Sequence, residues 1–433
     1  MNIPEKCDVA VLGGGPAGTT AATFLRRKGY HVVLLDKSRH PRRVVGESLL
    51  PHVWKFTDIL GVSEKIEADG FIRKHGGIVD WEGTVRRLRF SDFGYTRPAM
   101  HVERERLDKI LIDHASSEGV EVFEEVSAFD VEFKCAGNGS IVSHRAADGE
   151  KGRLACSYVV DATGSRSFLA RQMDLRVPDP EFRFMAIWGY FRGHHYLSAE
   201  GVIEPYARIR EAPPVTFVNS LGDWAWSWCI PMREEVSVGM LVPIERIKQQ
   251  GLSGTAQLTE YFLQTCEQHP NLKRVLDREQ FIPGSLNVLQ SYSFLSREVS
   301  GDGFFIAGDA TGFVDPIYSN GVTSAFYSGY LAAWAIDRSL RKKESAQIYQ
   351  SIYSRQILGH LRLLRDLALP DWIPKESPEV LRKLLWSQNE TERALMFAVA
   401  LVAGRADNVY RLYDKESLDN ALAGRIDVIE LFK

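Results

Sequence analysis

One stretch constrains this chain more than any other: "CDVAVLGGGPAGTTAATFLRRKGYHVVLLDKS". The apolar run Val9 to Leu12 leads into Gly13-x-Gly15-x-x-Gly18. The helix-favouring "TTAATFLRRKG" follows and closes on Gly29, and "HVVLLD" ends on Asp36, 23 positions after Gly13. The order strand, glycine turn, helix, strand predicts a βαβ unit with a dinucleotide-binding crossover. Gly13 permits the tight turn, Gly15 lets the backbone approach a pyrophosphate, and Gly18 lets helix and strand pack closely. The helix start offers N–H groups and the positive dipole end to the phosphates, and Asp36 is placed to accept ribose hydroxyls. A plain glycine turn would leave Asp36 unexplained. The fingerprint alone does not separate FAD from NAD.

Bulk composition narrows the class. The chain has 433 residues, 45% hydrophobic and 25% charged, enough for a large core in two or three domains or one large domain with an excursion. A net charge of −3 gives no basic surface for nucleic acid. Cys7, Cys135, Cys156, Cys229 and Cys266 are odd in number and lack CxxC spacing, which predicts reduced thiols in a cytoplasmic protein, with no disulfide frame and no metal site. "MNIPEKCDVAVLGGG" enters structure at once, so no signal peptide is expected, and "ALMFAVALVAG" is too short to span a bilayer. No membrane partner, internal repeat or low-complexity segment is expected.

Two later stretches point to FAD. "YVVDATGSRS" is a short strand running into Asp161-Ala162-Thr163-Gly164. "GDGFFIAGDATGFVDPIYSNGVTSAFYSGYLAAWAI" reads as strand, Gly308-Asp309-Ala310, turn and helix. Asp309 at a strand end suits a ribityl or ribose hydroxyl. N–H groups near Asn320, Gly321 and Val322 suit an anion or the electron-rich edge of a flavin. Only one dinucleotide fingerprint is present. A third stretch, "WAWSWCIP", alternates Trp224, Trp226 and Trp228 ahead of Pro231, which predicts a strand with three indoles on one face. Such a wall either fills a core or lines something flat.

The glycine fingerprint, "DATG" and "GDA" in this order resemble the FAD-dependent oxidoreductases of the aromatic-hydroxylase type. The middle motif departs from the family's DG, with Ala162 and Thr163 inserted before the glycine. "HVERERLD" is similar to that family's arginine segment, which implies that Arg104 contacts the flavin or its pyrophosphate; a solvated helix charge is the competing reading. Within this group, "GESLLP", "GFIRKHGG", "WSWCIP" and "DPIYSNGV", in this order along the chain, resemble segments of the flavin-dependent halogenases. The resemblance implies an α/β fold, with a Rossmann-like FAD domain, an inserted antiparallel-sheet substrate domain and a helical C-terminal region.

The resemblance also implies a mechanism. Reduced FAD and dioxygen form a flavin C4a-hydroperoxide. Chloride or bromide, held near Asn320 and Gly321, attacks it and gives hypohalous acid. Lys74 then aims the halogen at an aromatic carbon by hydrogen bond or haloamine. Trp226 and Trp228 would be the barrier between flavin and substrate, with Trp224 a core residue. A solvated charge cluster is the bland reading of Lys74, with the glycines after it making a turn. Tryptophan halogenases carry glutamate where this chain has Tyr318, which favours a phenolic or pyrrolic substrate, free or tethered to a carrier protein or peptide, with a separate flavin reductase as partner. The opposing readings are an aromatic monooxygenase using NAD(P)H, on an indole or a peptide-bound side chain, and an FAD-binding scaffold.

The FAD domain is expected at 1–50, 100–170 and 290–335, and the substrate domain at 51–99 and 171–289. "AIWGYF", "PVTFVNSL", "WAWSWCIP" and "VSVGMLVP" supply the strands of the substrate domain. From 336 to 433, "AQIYQSIYSRQILGHLRLLRDLAL" and "PEVLRKLLWSQNETERALMFAVALVAG" read as helices.

Overall fold

The structure, a computed structural model, describes residues 3–368 apart from 82 and 134–138. Its first sheet has six strands in the order Ser300–Gly301, Phe304–Ile306, Tyr158–Asp161, Val9–Leu12, Val32–Asp36 and Glu121–Glu124. All pairings are parallel except the edge strand Ser300–Gly301. The central strands are apolar without alternation because both faces are covered. The helix Pro16–Arg27 packs on this sheet and against the helix Gly321–Arg341. The two helices come so close that a Cβ on Gly329 would stand 2.3 Å from the Ala17 carbonyl oxygen. A three-stranded antiparallel sheet, Val126–Phe133, Ser140–Ala146 and Lys151–Cys156, contributes Val131, Val142 and Leu154 to the same core.

The second large sheet has seven strands, ordered Asn287–Gln290, Phe184–Arg192, Glu235–Pro243, Ala225–Pro231, Thr216–Gly222, Gly76–Trp81 and Thr84–Arg89. Its pairings are antiparallel except between Thr216–Gly222 and Gly76–Trp81. Gly76 and Gly77 therefore lie within a strand and make no turn. Strand alternation divides Ala225–Pro231 between two cores. Cys229 faces Phe262 and Cys266 of the helix Gly254–Gln268, while Trp226, Trp228 and Ile230 face the opposite way. Trp224 departs from expectation. It is neither on that face nor in a core: Asp223 and Trp224 have φ of 45° and 65° and form the hairpin turn, leaving Trp224 37% exposed.

A small strand pair joins the sheets. Ile72–Lys74 runs antiparallel to Ala99–His101. The segment around Ser48 adds to the other side of Ala99–His101, with Leu49 N donating to Met100 O at 2.9 Å and Val102 N to Glu47 O at 2.8 Å. Helices Gly321–Arg341 and Ala346–Ala368 follow the sheets. The further helix read from "PEVLRKLLWSQNETERALMFAVALVAG", and Cys135, lie outside the described residues. Among the described residues no helix is long and apolar enough to cross a membrane, and no cluster of three or more His, Cys, Asp or Glu could hold a metal.

Candidate functional site

The glycine turn is built as a cradle. Gly13 has φ +108°, and a Cβ there would stand 2.3 Å from the Ala162 carbonyl oxygen. A Cβ on Gly18 would stand 1.9 Å from the Gly13 carbonyl oxygen, so neither position accepts a side chain without moving backbone. Gly15 differs. Its Cβ would meet nothing closer than an Arg42 nitrogen at 3.7 Å, so the space beside it is open to a ligand. Gly15 also caps the helix Pro16–Arg27 without a side-chain hydrogen bond, and Pro16 begins the helix, so the first-turn N–H groups have no intrahelical partner. Asp36 sits at the end of the second strand and accepts from Gly14 N at 2.6 Å and Ser38 N at 2.7 Å, which fixes its carboxylate beside the turn. This donor set fits a dinucleotide pyrophosphate.

Arg104 is no solvated charge. Its side chain is 11% exposed and forks onto Asp108, at 3.0 and 3.1 Å, and onto Val45 O at 2.9 Å. Burial alone would lower its pKa, but Asp108, Asp309 and Glu47 outweigh it and raise it. Burial pushes the Asp309 carboxyl up to about 6, with Arg104 opposing. A hydroxyl-rich ligand chain beside Asp309 suits this pair. Asp161 works differently: it is fully buried and accepts from Thr163 N, Thr163 Oγ1 and Leu169 N, so it clamps its own loop.

Lys74 is 3% exposed, and the cluster around it is not a solvated one. Alternation explains the difference: in Ile72–Lys74 only Arg73 faces out. The Lys74 Nζ donates to Ser48 Oγ at 2.7 Å and to Leu49 O at 3.2 Å, and it lies 5.4 Å from the centre of the Phe90 ring. Among the described residues no carboxylate offsets its desolvation, and burial lowers its pKa to about 7. Ser319 Oγ donates to the same Ser48 Oγ at 3.0 Å, which ties the lysine to the turn before the helix Gly321–Arg341.

Trp226 and Trp228 stand side by side, with ring centroids 5.7 Å apart and planes tilted by 52°. They are buried against Ile317 and Phe313 of that turn. Trp228 lies over Gly239 of the neighbouring strand, where a Cβ would stand 2.1 Å from its ring. Trp226 hydrogen-bonds Asp315, whose carboxyl is pushed up to about 7 by burial. Tyr318 is held well above the ordinary tyrosine range by burial and by Asp315, so it stays a phenol. Asn320 precedes Gly321 and Val322 at the start of the helix, where backbone N–H groups point out of the first turn. The structure thus gathers Lys74, Ser319, Trp226 and Trp228 around one turn. Residues 45–49 link this cluster to Arg104: Val45 O accepts from Arg104, and Ser48 Oγ and Leu49 O accept from Lys74.

Sequence reasoning passed over Ser48, His101 and Thr216. His101 is fully buried, and its pKa is pushed well below the ordinary range by burial and by Lys74. "GESLLP" was the available signal for Ser48, and "HVERERLD" for His101; nothing in the sequence marks Thr216.

Comparison with known proteins bears on the family, the fold and the cofactor. The FAD binding domain family matches residues 6–356. A tryptophan 2-halogenase of Chondromyces crocatus is 32% identical over 83% of this chain and 66% of its own length. A 1H-pyrrole-2-carbonyl-[peptidyl-carrier protein] chlorinase of Pseudomonas fluorescens is 31% identical over 82% of this chain and 81% of its own. The solved structure of a myxobacterial chondrochloren halogenase is 28% identical, with a TM-score of 0.74 over 93% of this chain and 91% of that one. The chain spans 66% of the length of the first curated relatives it matches. The chain is FAD-binding, and its mixed α/β fold is that of these flavoproteins.

Proposed function

Since the chain belongs to the flavin-dependent halogenase family, we propose that it halogenates an electron-rich aromatic ring, with Lys74 delivering the halogen. The observation that carries this reading is a buried amine, lowered to about 7, with no carboxylate partner and two fixed acceptors. Such an amine is available as a free base near neutral pH, which a surface lysine is not.

Bound FAD supplies, once reduced, the two-electron activation of dioxygen that turns halide into hypohalous acid. The protein's own groups do the rest. Gly13, Gly15 and Gly18 leave room for the pyrophosphate, and Asp36 accepts from the ribose. Arg104 and Asp309 hold the flavin chain. The N–H groups of Gly321 and Val322, at the start of the helix Gly321–Arg341, would hold the flavin, and with Asn320 they would hold chloride or bromide. The Lys74 amine takes the halogen from hypohalous acid: an N–halogen bond forms, one amine proton leaves with the hydroxide, and water is the by-product. The haloamine then gives its halogen to the ring carbon, and the ring proton returns to the amine. Trp226 and Trp228 keep the ring from the flavin, which suppresses direct oxygen transfer.

Tyr318 supports a phenolic or pyrrolic substrate. A neutral phenol cannot accept the ring proton that a carboxylate would, so the ring must be activated already. The Pseudomonas relative is named for a pyrrole on a peptidyl carrier protein, which supports a tethered form. The single dinucleotide fingerprint supports a separate flavin reductase as electron donor. Free thiols at Cys7, Cys156, Cys229 and Cys266 support a cytoplasmic setting. The sheets support a discontinuous FAD domain at 1–50, 100–170 and 290–335 around a substrate domain at 51–99 and 171–289. Mass spectrometry of products from reduced FAD, oxygen, halide and a panel of phenols, pyrroles and indoles tests the reading. Replacement of hydrogen by chlorine or bromine is expected. Addition of one oxygen, unchanged by halide, would assign a monooxygenase instead.

A further inference from the structure

Behind Lys74 lies a buried chain of side chains whose hydrogen bonds run in one direction. His101 Nδ1 lies 2.8 Å from the carbonyl oxygen of Pro231. A carbonyl only accepts, so Nδ1 carries the hydrogen. His101 is held neutral by its burial, so Nε2 is an acceptor, and at 3.0 Å it takes the hydroxyl hydrogen of Thr216. Thr216 Oγ1, its hydrogen committed, accepts from Ser48 at 2.8 Å. Ser48 has then also spent its single hydrogen. Its oxygen faces Lys74 at 2.7 Å and Ser319 at 3.0 Å with lone pairs alone. Every link is buried or half-buried, so water does not offer the hydroxyls another orientation.

We propose that Thr216 and His101 are positioning residues for Lys74: by holding Ser48 as a pure acceptor, they fix the direction in which the lysine nitrogen presents its reactive position. A neutral amine has two hydrogens and one lone pair. Ser48 Oγ and Leu49 O take the two hydrogens, so the lone pair, and later the N–halogen bond, occupies the third direction. Were the chain cut, Ser48 could turn its own hydrogen towards the nitrogen and cover the lone pair that must attack hypohalous acid. The Pro231 carbonyl anchors the far end, so the proline of "WSWCIP" serves the lysine as well as ending its strand. This inference rests on the reading of Lys74 as the delivering residue.

The test uses the FAD-loaded enzyme with halide, a phenol or pyrrole that the wild-type enzyme halogenates, and external reduced FAD. It measures halogenated product per oxygen consumed, with free hypohalous acid trapped by a 1,3-diketone. Thr216→Val keeps shape and removes the hydroxyl. It should lower product per oxygen about tenfold and raise trapped hypohalous acid, with oxygen uptake unchanged. Thr216→Ser keeps the hydroxyl and should restore coupling. His101→Gln, which offers one donor and one acceptor, should remain coupled, whereas His101→Leu should not. If Thr216→Val fails to hold FAD, Ser48→Ala cuts the same chain nearer the amine and reads the same quantity. Wild-type coupling in Thr216→Val or Ser48→Ala, alongside loss of product in Lys74→Ala, overturns the positioning role and leaves the lysine reading intact. Persistence of product in Lys74→Ala overturns the lysine reading itself.

Discussion

Replacing Lys74 with methionine should stabilise the protein while ending its chemistry, and the stabilisation should fade as pH rises. In the folded protein Lys74 titrates near 7, against its ordinary value of 10.5 in the unfolded chain. Between these values the unfolded state binds a proton that the folded state does not, so folding grows more favourable with rising pH. Below about pH 7 the full penalty applies, and above about 10.5 it vanishes. At about 1.4 kcal/mol per pH unit, the lysine costs on the order of 3 kcal/mol at pH 8 and under about 1 kcal/mol at pH 10. Methionine carries no such term. The advantage of Lys74→Met over wild type should therefore shrink by about 2 kcal/mol between those two pH values. The acceptors left at Ser48 and Leu49 add an offset that does not depend on pH. Other titrating groups are common to both proteins and cancel in the difference. Urea denaturation of the FAD-saturated proteins at the two pH values measures it. An equal difference at pH 8 and pH 10 would mean that Lys74 keeps an ordinary pKa, and the free-base argument would fall.

The other expectations follow from close contacts and from the single fingerprint. Gly15→Ala should weaken FAD binding with little loss of apoprotein stability, because its Cβ enters open ligand space; Gly18→Ala should cost about 1–3 kcal/mol in both, because its Cβ meets the Gly13 carbonyl. FAD titration and thermal melts separate the two, and equal behaviour would contradict the cradle. Gly239→Ala should displace Trp228 without altering it, and product per oxygen should fall several-fold while FAD content holds; unchanged coupling would remove the indole wall from the mechanism. NADPH alone should not bleach the bound flavin in anaerobic stopped flow, and rapid bleaching would favour the monooxygenase.

The parts of this protein that were legible in sequence are those whose physical demands are local. Gly13 and Gly18 must be glycine because of backbone within a few residues or one strand away, and their spacing announces it. Trp226 and Trp228 follow from the period of a strand, but the same period carried one step too far misplaced Trp224, which belongs to the turn. For Arg104 the sequence left a flavin contact and a solvated helix charge both open, because its burial depends on the distant chain at Gly46, where a Cβ would stand 2.7 Å from its guanidinium. The network behind Lys74 was not legible as a network, although the segments that hold Ser48 and His101 were singled out. Its links join residues 115 to 168 positions apart, and a serine, a threonine and a histidine are individually unremarkable. The register of Ala99–His101 against its two neighbours brings Ser48, Lys74 and His101 together, and Thr216 reaches them from the strand Thr216–Gly222 of the other sheet.

Under the proposed function, oxygen is activated at the flavin, and halogen is delivered elsewhere, by Lys74. Oxygen uptake and halogenated product measured together in Lys74→Ala test it most directly, with external reduced FAD, chloride or bromide and an accepted phenol or pyrrole. Uptake near the wild-type rate with product reduced at least about a hundredfold is the expected result, and Lys74→Arg should behave alike because a guanidinium stays protonated. Product at near wild-type yield in Lys74→Ala would contradict the account, since a halogen that reaches the ring without the lysine needs no relay.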